Sequence, residues 1–88
     1  MPGRIRFSVS RHARLRMAQR HVTADMIERS LRTPDRSWRD IADPALTHVT
    51  KRFHEVGGLS VLRVVYNHTT FPWRVVSVFF DRKATRRR

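Results

Sequence analysis

Two near-continuous apolar runs, Leu59 to Tyr66 (LSVLRVVY) and Trp73 to Phe80 (WRVVSVFF), constrain this chain more than anything else in it. Both are rich in β-branched and aromatic residues, and a loose turn from Asn67 to Pro72 separates them. Strands that are apolar on both parities belong in the interior of a sheet, covered on both sides. Upstream, Leu46 to Val56 (LTHVTKRFHEV) alternates in the two-residue period of a half-buried strand, and Gly57-Gly58 is a two-residue hairpin signal. Arg36 to Ile41 can add one more short strand before the turn at Asp43-Pro44. These segments predict an antiparallel meander whose central strand is one of the two apolar runs.

The first third has a helical period. Arg4 to Val9 (RIRFSV) reads as a short edge strand or an extended lead-in, and Ser8 or Ser10 can cap the helix after it. Arg11 to Arg20 (RHARLRMAQR) consists of good helix formers, with His12, Arg16 and Arg20 along one stripe. A second helix begins at the N-cap Thr23, with Asp25 favoured by the helix dipole and Val22 stapled onto Ile27. Its expected buried side is Met26, Ile27, Ser30 and Leu31; Glu28 and Arg32 form an i, i+4 pair, and Thr33-Pro34 ends it. The fold expected is therefore α+β: two N-terminal helices packed on one face of a three- or four-stranded antiparallel sheet. It spans residues 1–80, with residues 81–88 as a basic tail.

With 88 residues, one domain is expected, burying about 60–65% of the surface its unfolded chain exposes. There is no cysteine, which excludes disulfides, thiolate metal sites and a cysteine nucleophile. The opening Met1-Pro2-Gly3-Arg4 lacks the apolar block of a secretory signal, so a cytoplasmic location is expected. Nineteen Lys and Arg oppose seven Asp and Glu, a net charge of +12. Residues 1–21 hold six arginines and no acid, and residues 81–88 hold five bases against Asp81. A GC-rich coding bias raises arginine, but it does not explain an acid-free opening. A polyanion does, and arginine is suited to gripping phosphate and stacking on bases. The basic segments lack the aromatic and leucine face that a membrane surface requires.

Several residues carry a family likeness. Phe7-Ser8-x-x-x-His12-Ala13-x-x-Arg16-Met17-x-x-Arg20, then Val22-Thr23, Thr33-Pro34-Asp35, Gly58-Leu59 through Tyr66, and Val75 through Phe79 resemble a family of short bacterial domains of unknown function. That family is grouped with the RelE/ParE-like toxins, in the barnase–colicin D–RelE fold group. The resemblance covers nearly the whole chain and implies a toxin-like, metal-independent ribonuclease acting on mRNA or tRNA, with a small acidic or DNA-binding antitoxin as partner. Alternatives within the same fold are a non-catalytic RNA- or ribosome-binding module and a ParE-like gyrase poison. Catalytic residues vary across the group, so fold membership transfers no mechanism.

RNA cleavage without a cofactor needs a base for the 2′-hydroxyl, cations for the charged phosphorane and an acid for the leaving oxygen. Alternation puts Lys51, Phe53 and Glu55 on one side of their strand and Arg52, His54 and Val56 on the other. Arg63 is placed with Val61 and Val65, and Ser77 with Trp73, Val75 and Phe79. The helices are expected over Leu62, Val64, Val76 and Val78, leaving Arg63 and Ser77 on an open face. Whether Arg52 and His54 or Lys51 and Glu55 join them depends on register.

The catalytic candidates are thus His54 as acid or base, Arg63 as phosphate clamp, and Arg52, Lys51, His12 and Ser77. For each a structural role competes: an edge-strand surface histidine for His54, a salt bridge with Glu55 for Arg63, and a bond to a backbone carbonyl for His12. RNA-binding candidates are Arg16, Arg20, Arg82, Lys83, Arg86 and Arg87, and Trp38 and Trp73 can stack a base. His48, His54 and His68 match no metal-ligand spacing, so no metal or other cofactor is expected.

Overall fold

The computed structural model describes residues 3–55 and 58–83, with the side chains of residues 55, 58 and 59 excepted. The elements run β1 (Phe7–Val9), α1 (Arg11–Arg20), α2 (Ala24–Arg32), β2 (Arg36–Arg39), β3 (Leu46–Glu55), β4 (Gly58–Asn67) and β5 (Trp73–Phe80). They build one five-stranded sheet in the order β1-β5-β4-β3-β2. Both apolar runs are interior strands, and β4 is the central one.

The expected sheet needs three corrections. A strand precedes the helices; the described sheet has five strands; and it is mixed, because β1 runs parallel to β5 with Phe7 opposite Trp73 and Val9 opposite Val75. The other pairings are antiparallel, as the meander requires. A parallel neighbour needs a long crossover, and here the rest of the domain lies between the two strands. No local pattern in a three-residue strand can announce a partner that far along the chain. The hairpin also sits differently: Glu55 pairs with Gly58, so Gly58 opens β4 instead of turning, while Gly57 lies outside the described residues.

The helices obey their end signals. The Ser10 side chain accepts from the Ala13 amide at 3.1 Å and starts α1. His21 ends it in the left-handed region at φ 57°, with the Val22 amide returning to the Met17 carbonyl at 2.9 Å. Thr23 caps α2 through the Met26 amide at 3.1 Å. Met26, Ile27, Ser30 and Leu31 are all buried, as is Glu28. Arg32 Nε donates to Glu28 Oε2 at 3.0 Å, and the Ile5 amide donates to the same oxygen at 3.1 Å. This carboxylate therefore ties the segment ahead of β1 to α2. The Arg32 hydrogen bond, helped by the Ile5 amide, lowers the Glu28 pKa against the opposing effect of burial.

Both helices contribute to one core on one face of the sheet: Ala13, Val22, Met26, Ile27 and Leu31 meet Val49, Phe53, Leu62, Val64, Tyr66, Val75 and Val78. Burying a side chain such as the fully enclosed Ile27 contributes roughly 1.5–3 kcal/mol. One residue of β5 is out of phase. Val65 pairs with Ser77 and Tyr66 with Val75, which leaves Val76 as an extra residue in a bulge. Simple alternation placed Val76 under the helices and Val75 opposite; the bulge reverses this, and Val75 joins the helix-side core with Trp73 packed against it. Beside the bulge, Ser10 binds β5 twice, its amide to the Val75 carbonyl at 2.9 Å and its hydroxyl to the Val76 carbonyl at 3.3 Å. The residue that caps α1 thus also fastens it to the irregular part of β5.

Candidate nucleic-acid interface

Register assigns the face that the helices leave open. Arg36 is opposite Thr50, Thr50 opposite Arg63 and Arg63 opposite Phe79, one row across four strands. The next row holds Trp38, His48, Val65 and Ser77. Arg52 pairs with Val61 and His54 with Leu59, so both stand on the open face. Register thereby decides between the two pairs that alternation left open: Arg52 and His54 accompany Arg63. Lys51, opposite Leu62, is on the helix side, where its Nζ donates to the Thr33 carbonyl at 2.7 Å, just beyond the end of α2.

Arg63 is the centre of this face. Its guanidinium carbon lies 4.9 Å from the Trp38 ring centroid and 5.4 Å from that of Phe79. Its Nη2 donates to Asp81 Oδ2 in an ion pair. The Glu55 side chain, the salt-bridge partner that competed with a clamp role for Arg63, lies outside the described residues; Asp81 has a side chain only 8% exposed and a backbone amide that binds the Val61 carbonyl at 2.8 Å. The Arg63 side chain keeps 27% of its surface exposed, yet its Nε is buried with no hydrogen-bond partner among the described residues.

Trp38 also stacks on His48, with centroids 5.4 Å apart and planes 15° from parallel. His48 Nε2 meets Asp40 Oδ1 at 2.6 Å. A carboxylate can only accept, so Nε2 carries the proton, and this bond is the leading cause of the lowered Asp40 pKa. The chain Asp81–Arg63–Trp38–His48–Asp40 therefore crosses the sheet as alternating charge and ring contacts. Around it Arg36 and Arg52 are exposed, as is Phe79, by 37%.

The other candidates divide among separate places. His54 is exposed on the open face but stands four residues beyond Thr50, the residue opposite Arg63, about 13 Å along the strand. Ser77 is half-buried on the open face, in the row of Trp38. The stripe of His12, Arg16 and Arg20 is on α1, across the sheet from Arg63. Arg16 is half-buried, with Nη1 3.4 Å from Gln19 Oε1, and Arg20 is exposed. His12 is exposed too. Arg82 and Lys83 are exposed, while Arg86 and Arg87 lie outside the described residues. Trp73 packs on the core and stacks with Tyr66 at 4.7 Å, the buried alternative to holding a base.

Sequence reasoning misses the partnerships of Arg63 with Asp81 and of His48 with Asp40. By position Asp81 reads as the first residue of the tail, and only the register of β5 against β4 brings it next to Arg63. Among the described residues no cluster of three or more His, Cys, Asp or Glu side chains could hold a metal ion, and no helix is long and apolar enough to cross a membrane. Comparison with protein-family models, curated proteins and solved structures finds no match to this chain.

Proposed function

We propose that this protein binds RNA on the open face of its sheet. The observation that carries the reading is the grouping of Arg36, Arg52 and Arg63 around the Trp38 and Phe79 rings on the face opposite α1 and α2. Guanidinium groups serve phosphates, and rings serve unpaired bases at about 1–3 kcal/mol per stacked base. The net charge of +12 supplies long-range attraction for a polyanion. The acid-free helix α1 adds a second basic surface on the opposite side.

Cleavage is the second reading, that of a toxin-like ribonuclease with an antitoxin partner and a cytoplasmic site of action. It is supported by the resemblance of the α1 sequence and by His54, exposed two residues from Arg52 on the open face. In this reading His54 moves a proton while Arg52 stabilises the phosphorane. Arg63, distant from His54 and ion-paired to Asp81, holds a neighbouring part of the strand. Purified protein titrated against a labelled single-stranded RNA, with a chelator present, tests both readings. Saturable binding without cleavage leaves an RNA-binding module; new 5′ ends show an enzyme; no binding at low salt rejects the proposal.

A further inference from the structure

The geometry points to a phosphodiester-binding edge on Arg63 that Asp81 occupies until RNA displaces it; this rests on the RNA-binding reading of the same face. A guanidinium presents its Nε and Nη2 protons side by side, as a fork fitted to two oxygens of one anion. Asp81 takes Nη2, while Nε is buried and has no partner among the described residues. One prong of the fork is thus filled, and the other is left without a hydrogen bond among the described residues. A buried donor in that condition is costly, and a phosphate set against both prongs would satisfy it.

The surroundings suit an exchange of this kind. Trp38 and Phe79, whose ring centroids lie 4.9 and 5.4 Å from the guanidinium carbon, hold the group in place. Asp81 is anchored by its amide to the Val61 carbonyl at 2.8 Å, a backbone bond that an exchange at its carboxylate leaves in place. The displaced carboxylate would remain close by, next to the exposed Arg82 and Lys83. A phosphodiester then wins by engaging both prongs, whereas a small monovalent anion without that geometry competes poorly with the tethered carboxylate. The face consequently discriminates against simple anions while accepting RNA.

The test compares single-stranded RNA binding by the full chain and its Asp81→Asn, Asp81→Ser and Asp25→Asn variants, with thermal melting of each. The fork is tracked separately, through the Arg63 Nε–H resonance during titration with dimethyl phosphate. Asp81→Asn and Asp81→Ser should tighten RNA binding roughly three- to tenfold, the scale of one released charge-assisted contact. Asp25→Asn, with the same charge change on the other side of the sheet, should do less. Arg63→Lys in the Asp81→Asn background should abolish the gain, since lysine has no fork. Dimethyl phosphate should shift the Nε–H signal, more strongly once Asp81 is replaced. In the unaltered protein, RNA should shift the Asp81 carboxyl carbon signal, a readout that does not depend on any variant folding. RNA bound equally by all folded variants would overturn the exchange and leave the RNA reading standing. A phosphate-induced Nε–H shift without RNA binding would do the reverse, and an Nε–H signal unmoved by phosphate would overturn the site itself.

Discussion

Trp38 and Arg63 belong to strands that are not neighbours, yet the arginine's guanidinium carbon stands 4.9 Å from the tryptophan's ring centroid. β3 runs between them and offers only the short, buried Thr50 at that row, so the contact passes over it. The pairing joins the edge strand β2 to the central strand by side chains alone. Replacing Arg63 with alanine should therefore cost stability as well as affinity. Asp81 would lose this ion pair while remaining largely buried, at about 1–3 kcal/mol. Urea denaturation measures it, and an unchanged midpoint would relegate the contact to decoration.

Salt dependence separates the two basic surfaces. Each single-strand phosphate contact lowers the slope of log affinity against log salt by about 0.7. Replacing Arg36 and Arg52 with glutamine should flatten that slope by about 1.4 units. Replacing Arg16 and Arg20 should leave it unchanged for an oligonucleotide too short to pass round the sheet. Equal flattening by both pairs would mean that RNA has no preferred side.

Glu28 gives the fold a pH dependence of definite sign. Its pKa is lowered in the folded chain, chiefly by the Arg32 hydrogen bond. Between the lowered value and the ordinary glutamate range the unfolded chain binds more protons, so stability rises with pH across that window. The contribution is complete above the ordinary range and is lost as pH falls through the folded value. Glu28→Gln should be less stable than the parent at neutral pH, and the difference should shrink on acidification. A constant difference from neutral pH to acid would show that the charge of Glu28 is immaterial.

For cleavage, His54 is the residue at risk. Loss of a general acid or base slows a reaction by about 10²–10⁴, so His54→Ala should remove most RNA cleavage and leave the melting temperature intact. Lys51→Ala should preserve cleavage and lower stability slightly, because its ammonium serves the end of α2. Activity should persist with a chelator present. Cleavage by His54→Ala at the parent's rate would reject the catalytic assignment.

The helices were legible in the sequence because their determinants are local: Ser10 and Thr23 cap the helices they precede, and Pro34 comes directly after Thr33, the C-cap of α2. The apolar runs likewise marked two of the three interior strands of the described sheet, β4 and β5, while the third, β3, read only as a half-buried alternating strand. Two determinants were not local. The bulge at Val76 changes the parity of β5 without any glycine or proline to mark it, so Val75 and Ser77 could not be assigned to opposite faces by counting. The Arg63–Asp81 pair then depends on the register beyond that bulge. Of the proposed site, single residues were visible in the sequence and their company was not. Arg63 and Trp38 were each candidates for their own chemistry, whereas their contact required three strands to be in place.

The parallel pairing of β1 with β5 also affects how the chain can be made. Phe7 to Val9 leave the ribosome well before their partners, Trp73 to Val75. Until those emerge, β1 has no edge to join, and the Ser10 bonds to the Val75 and Val76 carbonyls cannot form. Contacts so distant in sequence slow folding, because the intervening chain must be ordered first. α1, with only Ala13 fully buried, has little apolar surface with which to dock ahead of them. The basic N-terminal third thus spends synthesis without its sheet, beside a particle made largely of RNA.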